Sequence, residues 1–190
     1  MRILQYSMTS CIGLVLLALL SIGASADINL LSNDPLIEAV KADDLKGAEE
    51  MLQRQHDVDV RDENGQTALF FAAIRGNEDF VEMLLRFNPK IGAVDKFGSS
   101  PLYYAAAANN VGVIEILSEK GADLDQPNRQ GLTPLMVAAS EGHLDAVRVL
   151  VELKSDIAIT DFTGRTAYDW AVRNKRQVVI RYLKSLGLGS

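Results

Sequence analysis

Few side chains in this 190-residue chain have the type and spacing to do bond chemistry. It holds two histidines and one cysteine. His56 falls in a Gln55-His56-Asp57 turn and reads as a solvated loop residue. His143 follows Gly142 and reads as a structural residue near a helix end. The two are far apart in the chain and lack a metal-site spacing such as H-E-x-x-H. Cys11 lies in an apolar N-terminal run, which leaves no Cys–His pair and no Cys/His zinc cluster for a folded domain. Gly-x-Ser-x-Gly, P-loop and G-x-G-x-x-G patterns are absent from the sequence. The pairs Asp43-Asp44 and Glu49-Glu50 are most simply solvated turn and helix residues, and Met136 most simply packing filler. The expectation is a protein with no catalytic residue, no cofactor and no metal site.

Recognition chemistry is better represented. Short turns recur at Asp62–Gly65, Asp95–Gly98, Asn128–Gly131 and Asp161–Gly164. Their central pairs are Glu63-Asn64, Lys96-Phe97, Arg129-Gln130 and Phe162-Thr163. A solvated turn prefers polar residues, so phenylalanine at two of four tips is anomalous. One reading is that the rings fold back onto neighbouring turns. The other is that a partner covers them, since aromatics beside Lys and Arg have the composition of an interface core and rim. The candidate site is therefore Lys96, Phe97, Tyr104, Arg129, Gln130 and Phe162, centred on Phe97 and Arg129. Tyr103, Tyr104 and Trp170 lie just behind these tips.

The elements that position those tips repeat every 33 residues. Gly65, Gly98, Gly131 and Gly164 keep this step, as do Ala39, Ala72, Ala105, Ala138 and Ala171. Met51, Leu84, Leu117, Leu150 and Leu183 keep it again further along. Each unit opens with type I turn chemistry, an acid or amide first and Gly fourth. Two residues on come Thr67, Ser100, Thr133 and Thr166, which can cap a helix, with Pro101 and Pro134 in its first turn. Apolar residues then fall at i, i+3 and i+4, as in Leu69, Ala72 and Ala73. Gly76, Asn109 and Gly142 suit the left-handed end of this helix. A second helix follows, with Val81, Leu84 and Leu85 and their equivalents, and Asn88 and Lys154 stand where Gly121 stands.

The segment Thr133-Pro134-Leu135-Met136-Val137-Ala138-Ala139-Ser140-Glu141-Gly142-His143 resembles the ankyrin-repeat signature, and the likeness extends over about residues 29–187. The resemblance implies an all-α repeat solenoid, a stack of about five helix–turn–helix units with β-turn fingers. The repeats are about 29–61, 62–94, 95–127, 128–160 and 161–190. It also implies a non-enzymatic module that binds a protein through its fingers and the concave face of its first helices. The convex face, with Glu115, Glu119 and Arg148, is expected to contribute far less. The chain departs from the pattern at Phe70, Tyr103, Met136 and Asp169, which replace the usual histidine, and at Pro89-Lys90, which bears on the turn between two units. The first unit, without an Asp-x-x-Gly turn, reads as one cap, and the last, with Arg173, Lys175, Arg176, Arg181 and Lys184, as the other.

Composition and the N-terminus frame these readings. Hydrophobic residues make up 48% and charged residues 23%, which excludes a disordered chain. Net charge is −6, which disfavours nucleic acid as a partner. Residues 27–62 hold ten acids and four bases, and residues 164–190 six bases and one acid. Two polar caps of opposite sign account for this, and so does a bipolar rod that orients a partner. Arg2, an apolar run from Cys11 and Gly23-Ala24-Ser25-Ala26 have the form of a signal peptide over residues 1–26. The run is shorter than the roughly 20 residues of a spanning helix. Cleavage after Ala26 gives a single domain over 27–190, exported without disulfides, which fits a bacterial periplasm. The partner is expected to be a protein, with no stable membrane insertion after cleavage and a monomeric state. Small exported bacterial ankyrin-repeat proteins resemble this chain, and some are linked to haem peroxidases. That leaves a haem- or peroxidase-support or carrier protein as one alternative and a membrane-tethered scaffold as another.

Overall fold

Each finger is built by one side-chain oxygen. In the computed structural model, which describes residues 34–188, Oδ1 of Asp62, Asp95, Asn128 and Asp161 accepts two backbone N–H groups. The donors lie two and four residues ahead, at 2.8–3.0 Å. The same residue's carbonyl accepts the glycine N–H at 2.9–3.0 Å, as a type I turn requires. Gly65, Gly98, Gly131 and Gly164 hold φ between 77° and 81°, where a side chain is resisted. The signal-peptide segment and residues 27–33 lie outside the described residues.

Ten helices follow one another among the described residues: α1 (Pro35–Lys41), α2 (Leu45–Gln53), α3 (Ala68–Arg75), α4 (Glu78–Leu85), α5 (Pro101–Ala107), α6 (Val111–Glu119), α7 (Pro134–Glu141), α8 (Leu144–Glu152), α9 (Ala167–Arg173) and α10 (Gln177–Ser185). The odd-numbered helices are the first of each pair. Ser100, Thr133 and Thr166 cap theirs by accepting the N–H three residues on. Thr166 forms a full capping box with Asp169, so one replacement of the usual histidine has a structural use. Thr67 makes no side-chain cap bond. Pro35, Pro101 and Pro134 occupy the first turns.

Left-handed residues end both helices of every pair, in two series stepped by 33. One is Asp43, Gly76, Asn109, Gly142 and Lys175; the other is Gln55, Asn88, Gly121, Lys154 and Gly187. Lys154 takes φ 75° and Lys175 φ 58°, although neither residue prefers that region. Repeat geometry thus overrides local preference. Pro89-Lys90 leaves the turn intact: Asn88 keeps its left-handed φ of 50°, and the Lys90 N–H donates to Asp59 at 2.8 Å.

First helices pack against first helices, and second against second. Ala72, Ala105, Ala138 and Ala171 are fully buried at those contacts, and their small side chains permit close approach. A single apolar core runs from Leu36 to Leu183, with Leu117 wholly enclosed near its middle. Polar bonds tie the units too. Asn110, His143 and Arg176 occupy one register position, and each donates to a carbonyl near the end of the first helix of the preceding unit: Ile74, Ala107 and Ser140. His143 is structural, as its sequence context indicates. His56 differs from the sequence reading, because its Nε2 lies 2.9 Å from Asp34 Oδ1 and 3.0 Å from Oδ2. Half-buried beside Asp34, the N-cap of α1, it is a hydrogen-bonded residue and not a free loop side chain. The last unit exposes Arg173, Lys175, Arg181 and Lys184, but also Val172 and Val178, so its outer face is not wholly polar.

Candidate functional site

The fingers form a row held by main-chain bonds. The N–H of Lys96 donates to the Asn64 carbonyl at 2.8 Å, that of Arg129 to Phe97 at 3.0 Å, and that of Phe162 to Gln130 at 3.4 Å. Contact is close at the glycines. A Cβ on Gly98 would lie 2.9 Å from the Arg129 nitrogen, and one on Gly131 2.8 Å from that of Phe162. Because the backbone makes these bonds, the tip side chains have no part in them.

Those side chains are open. Phe97 is 57% exposed and Phe162 77%. Lys96, Phe97, Tyr104, Arg129 and Gln130, five of the six residues singled out by sequence, line one groove of about 740 Å³ between the second and third fingers. Ser99, Tyr103 and Asn128 complete its lining. Phe162 is not brought into this groove. Its ring leans on Gly131, where a Cβ would lie 2.9 Å from Cδ1, yet most of it remains in solvent. The Lys96 ammonium sits 5.3 Å from the Phe97 ring centroid and donates to Asn64 Oδ1.

Behind the tips, the first helices brace the fingers. Tyr104 donates its hydroxyl to Asp95 Oδ2 at 2.6 Å, and its ring meets Phe70 and Tyr103 edge-on at 6.0 and 5.7 Å. Burial, together with the Asp95 carboxylate that accepts its hydrogen bond, pushes the Tyr104 phenol well above the ordinary tyrosine range. Burial also raises Tyr103, with Glu141 and Asp95 adding to it. Trp170 makes the matching bond one finger pair later, Nε1 to Asp161 Oδ2 at 3.0 Å. Burial works against the Asp161 carboxylate. Bonds from the Thr163 hydroxyl, the Arg165 and Thr163 N–H groups and Trp170 outweigh it and bring the group down to about 2.

A donor nine residues on braces two of the four fingers, while Asp62, with Phe71 at that step, and Asn128 have none. Asp95 has Tyr104 nine residues on, and Asp161 has Trp170. Asn128 has Val137, which has no donor to offer. Sequence reasoning passed over Asn128, Ser99 and Tyr103 as groove residues.

Each histidine is engaged within the fold, His56 with Asp34 and His143 with the Ala107 carbonyl. Among the described residues there is no group of three His, Cys, Asp or Glu side chains suited to a metal ion. None of the described helices is long and apolar enough to cross a membrane. Glu115, Glu119 and Arg148 stand exposed on the second helices, away from the fingers. The arrangement offers non-covalent recognition: exposed rings, two cations and amides set on a braced row.

Comparison with known families agrees with this geometry. A family model described as ankyrin repeats (3 copies) matches residues 36–128, and one described as ankyrin repeats (many copies) matches residues 117–171. A search of curated proteins finds no match.

Proposed function

The chain belongs to the ankyrin-repeat family, whose stacks are protein–protein interaction modules and typically non-catalytic, and from that premise we propose a binding module with no activity of its own that holds a protein partner on its finger row and first-helix face. One observation carries the reading. Positions with packing or turn duties keep similar residues from unit to unit, while the tip pairs vary, and the varied residues Lys96, Phe97, Arg129 and Gln130 border a single open groove. A ring in water gains nothing unless something covers it. Buried aromatic or Arg anchors are worth about 2 kcal/mol or more at an interface, roughly thirtyfold in affinity.

The partner belongs to the compartment the protein reaches. The apolar N-terminal run and Ala24-Ser25-Ala26 support export to a bacterial periplasm with cleavage after Ala26. Intact mass of the protein from its native host is expected to place Asp27 first; retention of Met1 in a membrane fraction would overturn soluble export. For the binding face, co-purification from the same extract compares two double variants, each checked by circular dichroism. Phe97→Ser/Arg129→Ala is expected to lose the partner and Glu115→Ala/Glu119→Ala to keep it. The reverse pattern moves the site to the second helices.

A further inference from the structure

We propose that the groove between the second and third fingers takes an acidic segment of the partner protein, in which a carboxylate stands beside an apolar side chain. This rests on the reading above, that a partner sits on the finger row. Asn128 is the observation that carries it. The other three fingers have aspartate at this position: Asp62, Asp95 and Asp161. Asn128 performs the aspartate's structural task through Oδ1, which accepts the Gln130 N–H at 2.9 Å and the Leu132 N–H at 3.0 Å. Those two bonds determine which end of the amide is oxygen. The other end, Nδ2, has no hydrogen-bond partner among the described residues. The residue is only 8% exposed, yet this nitrogen is not sealed off, since no fully buried side-chain nitrogen or oxygen lacks a partner. It therefore keeps some access to solvent, and Asn128 lines the groove.

The amide removes a negative charge and turns an acceptor into a donor at that spot. Internal packing does not call for the change, because Val137 behind it bonds to nothing polar and would ask for neither atom. Two cations flank the amide, and among the described residues neither Lys96 nor Arg129 forms an ion pair. The Tyr104 hydroxyl proton is turned inward to Asp95. The groove lining thus holds two unpaired cations and a spare amide N–H and no carboxylate, with the Phe97 and Tyr103 rings as its apolar wall. A carboxylate supplies the missing negative charge, and a guanidinium can hold both of its oxygens. An apolar neighbour on the same strand of peptide would cover Phe97.

The test uses the full chain. It is screened against a random dodecapeptide library, and labelled peptides of alternating glutamate–leucine and glutamine–leucine are titrated by fluorescence anisotropy. Wild type is compared with Asn128→Asp, Arg129→Gln and Phe97→Ser. The acidic peptide is expected to bind, and the glutamine peptide about tenfold more weakly. Asn128→Asp installs the residue the other fingers already use, so its melting temperature should hold while acidic-peptide binding falls about tenfold or more. Should it melt lower, Arg129→Gln at an exposed tip reads the same loss. Unchanged binding in the folded variants, equal binding of both peptides, or no bound peptide at all overturns the proposal. Selected peptides without acidic excess that still need Phe97 overturn it while leaving the finger row as the binding face. Peptides indifferent to Phe97→Ser overturn both.

Discussion

Asp161 serves two elements through one carboxylate: Oδ1 closes its finger, and Oδ2 holds Trp170. Its pKa is lowered to about 2 in the folded chain, so the folded state binds fewer protons than the unfolded one. Its stabilisation is complete above the ordinary aspartate range, about pH 4, and is lost as pH falls through about 2. Asp161→Asn can still close the finger, as Asn128 does, but it sets an amide N–H against an indole N–H, and an indole can only donate. We expect the variant to melt below wild type at neutral pH and the gap to narrow between about pH 4 and pH 2, read by circular dichroism. A gap that stays constant over that range would place the stabilisation elsewhere. At this scale the sequence was a partial guide. Lys96, Phe97 and Arg129 stood out because a fixed repeat isolates the positions that vary. Asn128 did not, because acid and amide serve a turn equally well. His56 was misread because its partner Asp34 lies 22 residues away, outside any periodicity.

Helix ends carry the clearest conflict between local preference and imposed geometry. Lys154 holds φ 75°, a conformation that costs a side chain roughly 1–2 kcal/mol. Glycine there relieves the strain but loosens the unfolded chain, so Lys154→Gly should stabilise by somewhat less, about 0.5–1 kcal/mol. The converse site is Gly121, at φ 86°, where an added Cβ meets nothing within 4 Å. Gly121→Ala should therefore cost about 1 kcal/mol from conformation alone. Urea melts of both variants measure the two changes, and a destabilised Lys154→Gly would show that the lysine side chain does more than tolerate its place. Helix pairs, finger turns and the proline starts were all legible from spacing. The bonds from Asn110, His143 and Arg176 were not, since three dissimilar residues share only the ability to donate.

The described residues form a stack in which every unit buries its faces against neighbours, so stability is distributed along it. Leu117, enclosed on all sides, should cost roughly 2–5 kcal/mol when cut to alanine. Phe97→Ser, at an exposed tip, should cost under about 1 kcal/mol. Equal losses in urea would mean that Phe97 is part of the core. The register that made the stack legible says nothing about what it holds, because tips are the places the fold leaves free. That freedom has a physical origin in the bonds from Lys96 to Asn64, from Arg129 to Phe97 and from Phe162 to Gln130, each made by main chain alone. A mutation at a tip is therefore nearly invisible to folding, and selection can revise one contact in a lineage without endangering the rest. Descendants of this chain are free to change allegiance gradually, each keeping the same architecture while its surface acquires a different acquaintance.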